Sequence, residues 1–265
     1  MLNYPNINPI ALAIGPLEIR WYSLAYIAGI FLGWLYAKQM NKRAKFATAI
    51  QFENVITWVV IGIVAGGRIG YCLFYNTTYF LSNPHEILYI WQGGMSFHGG
   101  MTGCILSMYI YCRLNKIAFF PFMDAAAAVA GIGIFFGRLA NFINGELYGR
   151  VTDSSIAMIF PNSDGQPRYP SQLFEAFGEG FMMVVILSIL YWVFNAWRRP
   201  RLICGVFLIW YAFVRITLEQ FREPDEQLGF FLGHYTMGQI LSVPMVLLGI
   251  YLIFRALREP KKPNN

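Results

Sequence analysis

Charge is scarce in this chain. Only 13% of its 265 residues are Asp, Glu, Lys or Arg, against ~25% in a typical soluble domain. With 57% hydrophobic residues and a mean hydropathy of +0.47, that shortage excludes an ordinary water-soluble core and points to a membrane protein. Cysteine is also sparse. Cys72, Cys104, Cys112 and Cys204 show no CxxC spacing and no histidine partners at zinc spacing, so they read as small buried hydrophobes and no metal is implied. Met1 to Leu17 holds no lysine or arginine, so it lacks the basic region of a cleavable signal peptide. Its Asn3, Pro5, Asn6, Asn8 and Pro9 make it a surface segment leading into the first span, lying in the interface. There is no P-loop, no GxGxxG opening a helix after a strand, no GxSxG elbow and no HExxH. Phosphotransfer from ATP, flavin chemistry, serine hydrolysis and zinc proteolysis are set aside, and no cofactor is expected. A net charge of +6 suits nucleic acid in principle, but the basic residues cluster at the ends of apolar segments, as topology signals do. No nucleic acid is expected.

Apolar runs are abundant. Runs long enough to cross a bilayer, ~20 residues each, fall near 19–37, 54–75, 95–113, 118–137, 173–195, 203–221 and 237–257. The fold class is therefore an all-α integral membrane protein: one polytopic domain over 1–265, with seven transmembrane helices. Residues 138–172 contain Gly145, Gly149, Pro161, Gly165, Pro167 and Pro170. They read as a small extramembrane head domain between the fourth and fifth spans. The flanks after spans 1, 3, 5 and 7 carry Lys38, Lys42, Arg43, Lys45, Arg113, Lys116, Arg198, Arg199, Arg201, Arg255, Arg258, Lys261 and Lys262, thirteen of the 20 basic residues. By the positive-inside rule that side is cytoplasmic. The N-terminus and the head are then periplasmic and the C-terminus cytoplasmic.

The remaining basic residues are Arg20, Arg68, Arg138, Arg150, Arg168, Arg215 and Arg222. All are arginines, whose fixed fork of donors matches a phosphate bidentately where lysine does not. The topology puts Arg68, His98, Arg138, Glu175, Glu179, Tyr211, Arg215 and Glu219 in the outer halves of their spans, while the inner halves are almost purely apolar. Tyr211, Arg215 and Glu219, at i, i+4 and i+8, stack on one helix face. Each has a plainer reading. The glycines around His98 suit close helix packing, with Gly99 and Gly103 at small-xxx-small spacing. Arg68 and Arg215 suit ion pairs with Glu175, Glu179 or Glu219, since an unpaired charge at this depth is costly. Tyr22, Tyr26 and Trp21 suit an aromatic belt. The stretch from Gln227 to Tyr235 reads as an outer loop.

Thirteen residues carry the most information: Gly137-Arg138-Leu139-Ala140-Asn141-Phe142-Ile143-Asn144-Gly145-Glu146-Leu147-Tyr148-Gly149. An arginine, two asparagines and a glutamate at the end of an apolar run supply partners for a phosphate and for hydroxyls. This stretch resembles the signature of the prolipoprotein diacylglyceryl transferases, bacterial membrane enzymes that attach the first lipid to lipoprotein precursors. The resemblance extends, in order, through Arg20-Trp21-Tyr22, Gly66-Gly67-Arg68-Ile69-Gly70-Tyr71, the run from Gly93 to Gly100, Tyr169-Pro170-Ser171-Gln172, and Tyr211 through Arg222. Ala140 stands where the family commonly has glycine, Tyr148 where an aromatic is usual, and the 138–172 excursion is on the short side.

The resemblance implies transfer of the diacylglyceryl group of phosphatidylglycerol to the lipobox cysteine of a prolipoprotein signal peptide, releasing glycerol 1-phosphate. It implies a place in the bacterial cytoplasmic (inner) membrane, among membrane lipids. Two provisions are needed: a thiolate nucleophile and fixed donors for charge developing on the leaving phosphate. His98 is the candidate base, and Arg138 and Arg215 are the candidates for the phosphate. Tyr22, Arg68, Asn141, Glu146, Gly149, Tyr211 and Glu219 are the candidates for binding substrate. Arginines beside the substrate thiol also acidify it without a dedicated base. Two other classes use the same residue types. One is a phospholipid-binding membrane carrier without covalent chemistry; the other is a phospholipid hydrolase or headgroup transferase. No second copy of the Gly137–Gly149 pattern supports the inverted repeats of a transporter.

Overall fold

The structure, a computed structural model, describes residues 1–15, 17–223, 236–261 and 263. The Gln227–Tyr235 loop reading lies outside the described residues. The chain divides into two compact units, one formed by 1–40 with 124–265 and the other by 41–123.

Long helices dominate both units, and each of the seven apolar runs coincides with one. They are α1 (Trp21–Ala44), α2 (Ala49–Phe74), α4 (Phe97–Leu114), α5 (Phe120–Asn144), α6 (Ser171–Val193), α7 (Leu202–Leu218) and α8 (Met237–Arg258), with a short α3 (Thr77–Ser82) between α2 and α4. Four of them, α2, α5, α6 and α8, are long and apolar enough to cross a membrane, and α7 is a shorter apolar helix. The fold is mostly helical rather than all-α. Strands β1 (Ile10–Ile14) and β2 (Leu17–Arg20) form an antiparallel hairpin ahead of α1. Its sequence signal is a short one: Ile10, Leu12 and Ile14 alternate with alanines, the period of a strand. Gly15, at φ +59°, supplies the left-handed turn residue.

In the 41–123 unit, α2 starts with a capping box between Thr48 and Gln51. It then packs on α4 through glycines four residues apart. A Cβ on Gly66 would lie 2.8 Å from the Cα of Gly103, and one on Gly70 would lie 2.8 Å from the Cα of Gly99. Backbones this close fit the small-residue packing of membrane helices. That packing accounts for the glycines that surround His98.

In the other unit, α5, α6 and α7 are drawn together in the same way. Helix α6 is not uniform: Ala176–Met182 and Ile189–Val193 are π-helical. Within the first π stretch, Gly180 faces α5, where a Cβ would lie 2.7 Å from the Cα of Phe135; Gly178 faces α7, 2.7 Å from Val214. The Gly178 carbonyl accepts the indole N–H of Trp210 at 3.0 Å. Wide turns of this kind disturb the regular hydrogen-bond ladder, and α7 supplies the partner.

One buried carboxylate breaks the apolar pattern expected of the inner halves. Helix α7 begins at Arg201, whose φ of +85° is left-handed and whose side chain makes no cap. Asp124, 3% exposed on α5, caps it from the neighbouring helix, accepting the Arg201 and Cys204 N–H groups at 2.8 Å each. A carboxylate on these otherwise orphaned donors also suits the positive end of the helix dipole. Asp124 and the α7 start thereby fix the register of two parallel helices.

Candidate active site

From that fixed point, Arg138 lies fourteen residues along α5 (138 − 124) and Arg215 fourteen along α7 (215 − 201). At 1.5 Å per residue both have risen ~21 Å, and they arrive on either side of α6. There they meet Glu175 and Glu179, one helical turn apart and both fully buried. Arg138 Nη1 lies 2.9 Å from Glu175 Oε2, and its Nη2 donates to Glu179 Oε2 at 3.1 Å. Arg215 Nη1 lies 3.6 Å from Glu175 Oε1, and its Nη2 lies 3.1 Å from Glu219 Oε2. Arg222 Nη1 donates to the same Glu175 Oε1 at 3.2 Å. The result is an alternating chain, Glu179–Arg138–Glu175–Arg215–Glu219, with Arg222 branching from its centre. Formally it holds three positive and three negative charges.

The chain is paired in charge but incompletely hydrogen-bonded. Arg215 Nη1, Glu175 Oε2, Glu179 Oε1, Glu219 Oε2 and the nearby Gln172 Oε1 are buried without a hydrogen-bond partner among the described residues. Where one of these atoms belongs to an ion pair, the geometry is not that of a hydrogen bond, so Coulomb attraction holds the pair while donor and acceptor capacity stays unspent. Arg138 and Arg215 side chains remain 18% and 13% exposed, so the cluster has an open side. Buried polar atoms in this state are uncommon and costly. Tyr211 sits within electrostatic range of Arg138, Arg215 and both buried glutamates. Tyr22, its ring tilted at 47° to that of Tyr26 with centroids 5.1 Å apart, lies within range of Arg138 and Glu146.

Arg138 is not at the end of its helix, as the sequence pattern suggests. Helix α5 continues to Asn144 and stops at Gly145, φ +65°. The end is thoroughly capped, which is why polar residues there remain helical. Tyr4 Oη donates to the Phe142 and Ile143 carbonyls at 2.7 and 2.9 Å, and Asn162 Nδ2 to the Asn144 carbonyl at 3.0 Å. Phe142, Met158 and Phe160 pack beneath, with Tyr4, Tyr148 and Leu173 against them. Glu146 does not pair with Arg138. Asn141 Nδ2 donates to its Oε1 at 2.8 Å, Asn144 Nδ2 at 3.3 Å, and Gln172 Nε2 holds its backbone carbonyl at 2.8 Å.

The 145–170 segment beyond is tied by short strand-like pairings. Gly149 N–H donates to the Tyr169 carbonyl at 2.9 Å, and a Cβ on Gly149 would lie 2.8 Å from that of Tyr169. Gly149 thus permits a close approach of backbones. Arg168 donates to Asp164 and to Glu223 at 2.9 and 3.0 Å. The hydrogen bond from Arg168 holds the exposed Asp164 carboxyl below its ordinary range.

In the 41–123 unit, Arg68 is buried and binds backbone rather than carboxylate. Its guanidinium donates to the carbonyls of Glu86, Ile87, Gly93 and Gly94 at 2.7, 2.8, 2.5 and 3.3 Å. It therefore holds shut the loop that leads into α4. His98 follows in the first turn of α4, exposed, its ring 5.6 Å from Phe97 and without a hydrogen-bond partner among the described residues. The same residues contain no cluster of His, Cys, Asp or Glu suited to a metal ion.

The sequence pattern underrates Glu175, Glu179, Gln172 and Asp124. Glu175 and Glu179 carry a signal, i and i+4 on an apolar helix. Gln172 carries only the resemblance of its Tyr169–Gln172 segment, and a lone Asp124 carries no signal, because the role of each is set by a backbone brought from elsewhere.

Comparison with known proteins agrees with the earlier resemblance. The family described as prolipoprotein diacylglyceryl transferase matches residues 9–255. A phosphatidylglycerol–prolipoprotein diacylglyceryl transferase of Rickettsia felis is 54% identical over 253 residues, covering 95% of this chain and 98% of that protein. Those of Rickettsia bellii and Rickettsia canadensis are 51% and 52% identical over 257 and 251 residues, covering 96% and 94% of this chain and 97% of each relative. With a match of this extent, alongside a buried cluster of arginines and glutamates on α5, α6 and α7, the chain belongs to the prolipoprotein diacylglyceryl transferase family.

Proposed function

We propose that the protein transfers the diacylglyceryl group of phosphatidylglycerol to the lipobox cysteine thiol of prolipoproteins, the first step of bacterial lipoprotein maturation. The observation that carries this is the Arg138–Glu175–Arg215 arrangement. Two guanidiniums are anchored on one buried carboxylate with donors left over. The neighbouring buried acceptors match a ligand that also brings hydroxyl donors. A phosphoglycerol headgroup has both.

In the reaction, sulfur attacks the glyceride carbon that bears the phosphate ester. A C–S bond forms, the C–O bond breaks, and the electron pair leaves with the phosphate as glycerol 1-phosphate. Arg138 and Arg215 stabilise the charge on that leaving group; donors fixed in a dry site cost no reorganisation as charge develops. Asn141 and Glu146 position the headgroup glycerol, and Tyr22, Tyr211 and Glu219 complete the binding surface. His98 takes the thiol proton, its exposed ring available to an incoming peptide. Arg68 and Gly149 act through the loops they hold.

The protein is read as a multi-pass protein of the bacterial inner membrane with seven spans, a periplasmic N-terminus and 138–172 head, and a cytoplasmic C-terminus. A reporter fused after Arg255 should report the cytoplasm; an outside location would overturn that orientation. For the activity, purified protein is incubated with phosphatidylglycerol and a lipobox peptide. The expected result is a mass gain of one diacylglyceryl unit on the cysteine. Lipid binding without that gain would favour the carrier reading, and release of diacylglycerol without peptide modification would favour a hydrolase.

A further inference from the structure

Among the described residues, Glu175 touches all three arginines of the ion-pair chain, at 2.9, 3.6 and 3.2 Å for Arg138, Arg215 and Arg222. Its side chain is completely buried. Arg138 comes from α5, Arg215 from α7 and Arg222 from the segment beyond α7, so three stretches of chain meet on one carboxylate. Stability does not explain such a hub. A buried ion-pair network is often matched or exceeded in stability by apolar residues of the same volume, because the desolvation of each ion consumes the Coulomb gain. Three arginines without Glu175 would also repel one another at close range in a medium of low dielectric. Their forks would splay, and the donors that face the open side would lose their common aim.

We propose that Glu175 is the positioning residue that gathers Arg138, Arg215 and Arg222 into a single phosphate-binding array. Glu179 and Glu219 are the outer clamps that fix the rotation of Arg138 and Arg215. The proposal rests on the transferase reading for its catalytic consequence, but not for its binding consequence. The carboxylate itself makes no bond to substrate. It acts by sharing: each of Arg138 and Arg215 places one nitrogen on Glu175 and the other on its own clamp. That locks both forks while leaving other N–H groups for a ligand. Its place at the last α-helical turn before the Ala176–Met182 π stretch lets the glycines of that stretch bring α5 and α7 within reach of one side chain.

The experiment compares wild type with Glu175→Gln, Glu175→Asp and the pair Glu175→Gln with Arg222→Gln. Transfer to a lipobox peptide gives kcat and the KM for phosphatidylglycerol. Native mass spectrometry with phosphatidylglycerol gives binding independently of transfer. Glu175→Gln keeps the volume and removes the charge. It should lower kcat on the order of a hundredfold, as misplacement of about an ångström does, with a much smaller change in KM. Glu175→Asp keeps the charge but withdraws it by one methylene, so it should also lose turnover. The double variant restores charge balance and should recover thermal stability while turnover stays low. A folded Glu175→Gln with wild-type kcat overturns the proposal. So does a double variant that recovers stability and turnover together, which would make Glu175 a counter-charge only. If the single variant fails to fold, the Asp and double variants decide. If wild type binds phosphatidylglycerol but transfers nothing, the transferase reading fails alone. Loss of lipid retention in the Glu175 variants would then still support the array, and unchanged retention would refute it.

Discussion

Replacing Arg138 by lysine keeps the charge and removes the fork, and the structure sets the size of the effect. Arg138 spans two fully buried carboxylates, 2.9 Å to Glu175 and 3.1 Å to Glu179. A lysine ammonium is a single point on a flexible stem and serves one carboxylate or the phosphate, not all three at once. Losing a charge-assisted hydrogen bond costs about 1.5–3 kcal/mol. Losing one fixed donor to a developing anion costs ~3 kcal/mol, on the order of a hundredfold in rate. The phosphate of the resting lipid is more diffuse in its demands than the leaving group. Turnover of Arg138→Lys should therefore fall about a hundredfold while phosphatidylglycerol binding weakens by less than about tenfold, the equivalent of ~1.4 kcal/mol. Arg215→Lys should behave alike, since Arg215 spans Glu175 and Glu219 in the same way. Methionine at either position is a poorer test: it strands buried carboxylates, which destabilises by about 3–5 kcal/mol and confounds activity with folding. The assay is the transfer rate to a lipobox peptide beside lipid binding, with thermal unfolding in detergent as the control. Lysine variants as active as wild type at both positions would refute the account, leaving the arginines as diffuse positive charge.

Asp124→Ala should lower stability by about 1–3 kcal/mol, the range of a lost helix cap and a buried charge-assisted pair of bonds. Asp124→Asn should lose roughly half as much, because one acceptor remains; thermal unfolding of both variants checks this, and an unchanged melting temperature for Asp124→Ala would remove Asp124 as the register lock. His98→Gln should largely abolish transfer while lipid binding persists, measured side by side; near-normal turnover would take His98 out of the chemistry. The Asp164–Arg168 contact gives a pH dependence whose sign is fixed. Asp164 has a lowered folded-state pKa, so its contribution is complete above the ordinary carboxylate value near ~3.9 and is lost as pH falls through the lowered value. Proteolysis of the 145–170 segment should accelerate in that acid range in wild type and much less so in Asp164→Asn. Equal pH profiles for the two would show that the contact contributes nothing.

The sequence alone determined the membrane class, the places of the long helices and the family. Each rests on a signal that survives without tertiary contacts: runs of apolar residues, end-clustered basic residues, and a contiguous motif from Gly137 to Gly149. It also supplied the i, i+4 pairing of Arg215 with Glu219, because helical geometry fixes that distance within one element. It missed the β1–β2 hairpin, where the alternation spans too few residues to stand out beside an apolar helix. Tertiary structure alone decided who pairs with whom between elements. Glu146 looks like the partner of Arg138 by proximity in sequence, yet it is held by Asn141, Asn144 and Gln172, and Arg138 reaches Glu175 and Glu179 on a different helix. Arg68 has the composition of a phosphate ligand, yet four carbonyls of its own unit occupy it. The reason is common to all of these. A charged side chain in an apolar helix takes whichever partner spares it desolvation, and that choice depends on the depth and rotation of neighbouring helices, set by glycine contacts such as Gly180 on Phe135 and by the cap that Asp124 places on α7.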